Sequence, residues 1–226
     1  MRISELYDTD IFKRDVYIIG SGPSLEVFPF SYLINKTCIL LNDTHRYTPA
    51  FLGPCVFANN KSFIKNSVQG IRIVKGRLRF DPGPEKDDNH VPWDHPELYV
   101  FSYREPPWDK TSHHNIESLW SEPDYFWSPV GGNVSHFAIQ FALLAGAKSI
   151  SLIGCDSIPL AGQEYVSTKE QRSHVKRKYD AYIVGTEILM QEAKNKFQVP
   201  IVSITPFAGL GNEVEKFRRM KEWKNG

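Results

Sequence analysis

Short apolar runs recur along this chain, each four or five residues long and each ending in a polar cluster. Runs of this length bounded by turn residues predict buried strands. The reading places them at Val16–Ile19, Thr37–Leu41, Cys55–Ala58, Ile71–Val74, Tyr99–Ser102, Ser149–Ile153 and Ile201–Ile204. Loops and helical stretches separate them, the pattern of an α/β open, mostly parallel sheet with helices on both faces. Two helices stand out. Asn133 to Ala145 carries Phe137, Phe141, Leu144 and Ala145 at helical spacing, begins after Gly131-Gly132 and stops at Gly146, so start and stop signals agree. A second runs from about Tyr179 to Phe197. The stretch 81–124 differs, being dense in Pro, Asp, His and Trp with little periodicity, and is expected to be a long irregular excursion that folds over one edge of the sheet like a lid.

Length fits one domain over residues 1–226, since a chain of 226 residues with 41% hydrophobic side chains can bury a sizeable core. Charge narrows the partners: 27 Lys and Arg against 26 Asp and Glu leave a net charge of +1, so no global field draws the chain to nucleic acid. Cys38, Cys55 and Cys155 sit in apolar runs without C-x-x-C spacing and are expected to be reduced core residues of a cytoplasmic protein. The first residues lack an apolar signal region, and the longest apolar run, Phe137 to Ala147, contains Gln140 and is too short to span a bilayer.

In an open parallel sheet, ligands bind beyond the carboxyl ends of the strands. Here those positions are polar: Gly20-Ser21-Gly22-Pro23-Ser24 after the first strand, Asn42-Asp43-Thr44-His45 after the second, Asn59-Asn60-Lys61 after the third, and Gly154-Cys155-Asp156-Ser157 after the sixth. Gly20 and Gly22 would permit positive φ and close approach of a ligand to the main chain. If the chain turned helical after Pro23, free amides and the helix dipole would favour a phosphate there. Asparagine offers donor and acceptor together, suited to ribose hydroxyls, base edges and phosphate oxygens; singly, each Asn also fits a turn or cap.

The run Gly20-Ser21-Gly22-Pro23-Ser24-Leu25, then Leu41-Asn42, then Phe57-Ala58-Asn59, resembles bacterial sialyltransferases of the Campylobacter lipo-oligosaccharide type. Gly131-Gly132-Asn133 opening a helix that ends Leu144-Ala145-Gly146-Ala147-Lys148, with Ile-Gly-Cys-Asp closing at Asp156, is similar to the same enzymes and to motility-accessory-factor and MptE-like domains. The resemblance implies a Rossmann-like, metal-independent glycosyltransferase without a cofactor, whose co-substrate is a nucleotide-activated sugar, a CMP-sugar above all. It places the nucleotide against Gly20, Ser21, Gly22, Ser24, Asn42, Asp43, Asn59, Gly131, Gly132, Asn133 and Asp156. It makes Tyr165 the donor to the departing phosphate and His174 the general base; His174 lies beside Arg172, Lys176, Arg177 and Lys178, which could hold an anionic substrate. The chain departs from the family's pattern at Ile158, where a first tyrosine falls in those enzymes, and at Trp127-Ser128-Pro129, where an arginine precedes their glycine turn.

A glycan or glycolipid would be the acceptor. Val214, Phe217, Met220 and Trp223 recur every three residues among Lys216, Arg218, Arg219, Lys221 and Lys224, a segment that could touch a membrane surface peripherally at its inner face or pack on its own domain or in a homo-oligomer. His90, His95, His113 and His114, with Asp87, Asp88 and Asp94, lack metal-ligand spacing. The Trp93-Asp94 and Trp108-Asp109 pairs would anchor the excursion to the core or stack on a sugar. Two further readings stay open: an MptE-like pyrophosphokinase holding magnesium through Asp43 and Asp156, and a nucleotide-binding module without turnover.

Overall fold

The computed structural model describes residues 1–52, 55–58, 70–76, 96–104, 120, 123–127, 133–156 and 175–205, with the backbone alone at 51, 102–104, 125, 127 and 175–181. Eight strands among them form one sheet: β1 Asp15–Ile19, β2 Thr37–Leu41, β3 Cys55–Ala58, β4 Ile71–Lys75, β5 Tyr99–Arg104, β6 Tyr125–Trp127, β7 Ser149–Ile153 and β8 Ile201–Ser203. Every pairing is parallel and the order is β6-β5-β4-β3-β2-β1-β7-β8. The chain thus walks outward from β1 to β6, then returns through a helix to place β7 on the opposite side of β1. That reversal puts the topological switch point between β1 and β7, where an α/β sheet opens a crevice.

The seven expected strands all form. β6 was not expected, because three residues between a turn and a Ser-Pro step carry no period; its identity comes from pairing with β5, Ser102 opposite Tyr125 through Arg104 opposite Trp127. β5 lies within the stretch expected to be an irregular excursion, whereas 81–95 and 105–119 lie outside the described residues.

Alternation along each strand splits the core into two layers. Val16, Ile18, Ile39, Leu41 and Phe57 face one side, where α1 (Val134–Leu144) supplies Phe137, Phe141 and Ala138 and α2 (Val175–Glu192) supplies Leu189. Aromatic rings dominate there, with Phe57 and Phe101 centroids 4.7 Å apart and Phe12 edge-on to Phe141 at 4.9 Å. Such packing is worth about 0.5–1.5 kcal/mol per pair beyond area burial. Tyr17, Ile19, Cys38, Leu40 and Val56 face the other side. Among the described residues that side is covered by short 3-10 helices, which supply Leu25, Leu33 and Leu52. Cys38 and Cys55 are buried and Cys155 half-buried, and all three are thiols outside any disulfide.

Local signals explain the helix limits. Asn133 is extended (φ −113°, ψ 129°) and its side chain accepts from the Ser135 amide at 3.0 Å, an N-cap. At the other end Gly146 takes φ +81° while the Ala147 amide reaches back to the Ala142 carbonyl at 2.9 Å, the closure that favours glycine after a helix. α2 starts four residues earlier than expected and continues into a π-helical turn, Ala193–Phe197, which ends at left-handed Gln198 (φ 57°). Trp120 is pinned to this end: its indole N–H donates to Glu192 at 3.1 Å and its ring meets Phe197 edge-on. No described helix is long and apolar enough to cross a membrane.

Candidate functional site

At the switch point the ends of β1 and β7 are stitched together. The Gly20 amide donates to the Ile153 carbonyl at 2.8 Å and the Gly22 amide to the Gly154 carbonyl at 2.7 Å. Because these backbones touch, a Cβ on Gly20 would lie 2.6 Å from the Gly154 oxygen, and one on Gly22 would lie 2.5 Å from Asp156 Oδ2. Gly22 has φ −65°, and the positive-φ glycines among the described residues are Gly70, Gly146 and Gly154. Positive φ is therefore not what calls for glycine at 20 and 22. Their small size admits the β7 turn of the same chain.

Beyond Pro23 the chain makes a five-residue 3-10 turn, Pro23–Val27, and not an α-helix. Its leading amide is in use. Ser24 N–H donates to Asp156 Oδ2 at 2.7 Å, and the Ser24 hydroxyl donates to Oδ1 of the same carboxylate. Thr205, just past β8, gives its hydroxyl to Oδ1 at 3.4 Å and receives the Gly154 amide at 2.9 Å. Asp156 is 2% exposed and Ser24 fully buried, so this carboxylate ties the ends of β1, β7 and β8 into one unit. Burial pushes Asp156 up to about 6, against the pull of its bonds from Ser24 and Thr205. The neighbouring Cys155 thiol is pushed up to about 12, by burial first and by the Asp156 charge second, and stays neutral.

The β2 end stands beside this unit, since Ile19 pairs with Leu40 and Asn42 follows two positions on. Asn42 sits in the left-handed region at φ 49°, a conformation that asparagine tolerates better than most residues. Its amide donates to the Phe57 carbonyl at 2.9 Å, and its carbonyl lies 3.2 Å from His45 Nδ1. Asn42 and Asp43 are half-buried, as is Ser21 on the β1 turn. The structure therefore brings Gly20, Ser21, Gly22, Ser24, Asn42, Asp43 and Asp156 to one rim of the sheet. Asn133, also half-buried, opens α1 after the chain leaves β6 at the same rim. Asn59, Gly131, Gly132, Tyr165 and His174 lie outside the described residues, as do the His and Asp residues of 87–114, the Trp93 and Trp108 pairs and the basic C-terminal segment.

Two polar residues at this end of the molecule escaped the sequence reading. Thr205 follows the last strand, so the strand-end rule that selected Asp156 would have found it. His136, in the first turn of α1, carries no sequence signal beyond being polar on an apolar helix. It is fully buried, with Nε2 3.1 Å from both the Tyr182 carbonyl and Thr186 Oγ1. The carbonyl can only accept, so Nε2 holds the proton. Gly185 leaves room for the ring, because a Cβ there would collide with Cε1. Burial holds His136 down at about 4, the bond to Tyr182 opposing. It is a neutral packing residue between α1 and α2.

No family model matches this sequence, and no curated protein does. Among solved structures, the chain is similar to the sialyltransferase CstII from Campylobacter jejuni in complex with a substrate analogue, CMP-3FNeuAc, at 15% identity and a TM-score of 0.43, over 84% of this chain and 80% of that one. At such values the likeness concerns the fold alone.

Proposed function

We propose that the protein is a glycosyltransferase that takes a nucleotide-activated sugar, with a CMP-sugar as donor, at the rim between β1, β2 and β7. The observation that carries this reading is the meeting of the Gly20–Ser24, Asn42-Asp43 and Gly154–Asp156 turns at the switch point, where α/β sheets bind nucleotides. The turns are also the segments on which the sequence resembles the sialyltransferases. In this reading Ser21 and Asn42 meet the nucleotide, joined by Asn59. The acceptor hydroxyl attacks the anomeric carbon as its bond to the phosphate oxygen breaks. His174 takes the hydroxyl proton and Tyr165 donates to the departing phosphate. The acceptor is a glycan or glycolipid, and no metal is required.

The magnesium-dependent alternative needs carboxylates open to a cation. Asp156 is 2% exposed and both its oxygens already accept bonds, which favours the metal-independent reading.

Thermal unfolding in the presence of CMP, UDP, GDP and ATP, each with and without magnesium, tests the proposal. A ligand that binds the native state at a hundredfold excess over its Kd adds about 2.7 kcal/mol. The expected result is stabilisation by CMP without magnesium, lost in Asn42→Ala, together with hydrolysis of a CMP-sugar that His174→Ala abolishes. Stabilisation by ATP alone, only with magnesium, overturns the proposal in favour of pyrophosphoryl transfer. CMP binding with no turnover of any CMP-sugar leaves a binding module.

A further inference from the structure

The β1 turn has the look of a phosphate cradle, yet its donors are already committed. The amides of Gly20, Gly22, Ser24 and Leu25 donate to Ile153 O, Gly154 O, Asp156 Oδ2 and Gly22 O, at 2.8, 2.7, 2.7 and 3.0 Å. Pro23 has no N–H. Among the described residues of this turn, Ser21 is left with both its amide and its hydroxyl uncommitted, and its side chain is half-buried where Ser24 is fully buried.

We infer that Asp156 is a built-in anion of the β1 turn, occupying the amide site that a ligand phosphate would otherwise take, so that the turn offers a ligand neutral contacts at Ser21 and refuses pyrophosphate. Two physical arguments support this. A phosphate oxygen within bonding reach of the Ser24 amide would lie about 4 Å or less from the carboxylate, a range at which like charges shielded from water repel strongly. Removing the carboxylate to make way would leave the buried Ser24 hydroxyl and the Thr205 hydroxyl without their acceptor, and each orphaned buried group carries its full desolvation penalty. The class of ligand follows: a dinucleotide or a nucleoside di- or triphosphate held by its phosphates at this turn is excluded, whereas a ribose or a base edge read by a serine hydroxyl fits. Asp156 is then a specificity-determining residue that never touches the ligand. That the ligand meets Ser21 rests on the proposed function; the brace and the exclusion of phosphate do not.

Amide spectra of the full-length, 15N-labelled protein test both halves. Without ligand, the Ser24 amide is expected to titrate with a midpoint near the value of about 6 at which Asp156 changes charge. Ser24 and Thr205 bond to it and the Cys155 thiol lies beside it. Glu26 on the same turn and His45 on the β2 turn are the nearby titratable groups whose own amides serve as the control. Inorganic pyrophosphate is expected to leave the Ser24 and Gly22 amides of the wild type unmoved, and to shift them in Asp156→Ala, where the carboxylate no longer fills the site. A Ser24 amide that does not titrate, or one that shifts with pyrophosphate in the wild type at neutral pH, overturns the inference whether or not Asp156→Ala folds. If the Ser24 amide titrates and ignores pyrophosphate while CMP moves no amide at the rim, the brace stands and the proposed function falls.

Discussion

Two helical starts follow glycine-marked stretches of the sequence, and they come to opposite ends. Asn133 opens an eleven-residue α-helix whose first turn is capped by its own side chain, while Gly20-Ser21-Gly22-Pro23-Ser24 leads into a five-residue 3-10 turn whose leading amide holds the Asp156 carboxylate. A glycine-rich turn after a strand announces close approach to the main chain without saying whose atoms approach. At β1 the visitor is the β7 turn of the same chain. The difference lies in partners far away in sequence: Asp156 stands 132 residues from Ser24, whereas Asn133 bonds two residues away.

The sharpest break of this contrast is Gly22→Ala. The new methyl would lie 2.5 Å from Asp156 Oδ2 and 2.6 Å from the Gly154 carbonyl, and overpacking of that kind costs about 3 kcal/mol, to be read as a lowered midpoint in urea. An equal cost in a variant of Ser21 to Ala, which lies outside these contacts, would contradict the account.

Acid separates the two turns nearly as strongly. Asp156 is raised from 3.8 to about 6, so the folded state binds the extra proton and stability grows as pH falls from about 6 toward 4. His136, behind the capped turn, is lowered from 6.5 to about 4, so the unfolded state binds the proton and stability is lost as pH falls through the same window. Each contributes about 3 kcal/mol with opposite sign, and they nearly cancel in the wild type. Asp156→Asn is expected to lose stability more steeply than the wild type between pH 6 and 4; parallel denaturation curves across that window would show that Asp156 does not titrate there.

Smaller effects sharpen the picture. Ser24→Ala removes a hydroxyl bonded to a charged acceptor, worth about 2 kcal/mol, and because that bond holds the Asp156 value down, the carboxyl is expected to titrate higher still. Asn133→Ala removes the cap of α1 at a cost of about 1 kcal/mol, measured by the same denaturation, with no change in the titration of Asp156.

What could be read from sequence follows the same division between near and far. The seven expected strands formed because buried parallel strands are written as continuous apolar runs, and α1 because Asn133 and Gly146 mark its ends within one turn of chain. β6 was hidden because three residues acquire strand geometry only by pairing with β5. The polar strand ends located the rim, yet the commitment of Ser24 and Asp156 to each other was invisible, since a serine beside a glycine turn and an aspartate after a strand look the same whether they face a ligand or one another. His136 was hidden for a related reason: its partners Tyr182 and Thr186 reach it only when α2 packs on α1.

A crystal structure of the protein with CMP bound would test the central claim most directly. The account predicts the nucleotide at the rim between β1, β2 and β7, the Ser21 hydroxyl and the Asn42 side chain within hydrogen-bond distance of it, and Asp156 still accepting from Ser24. A phosphate seated on the Ser24 amide with Asp156 turned away, or a nucleotide bound elsewhere on the molecule, would contradict it.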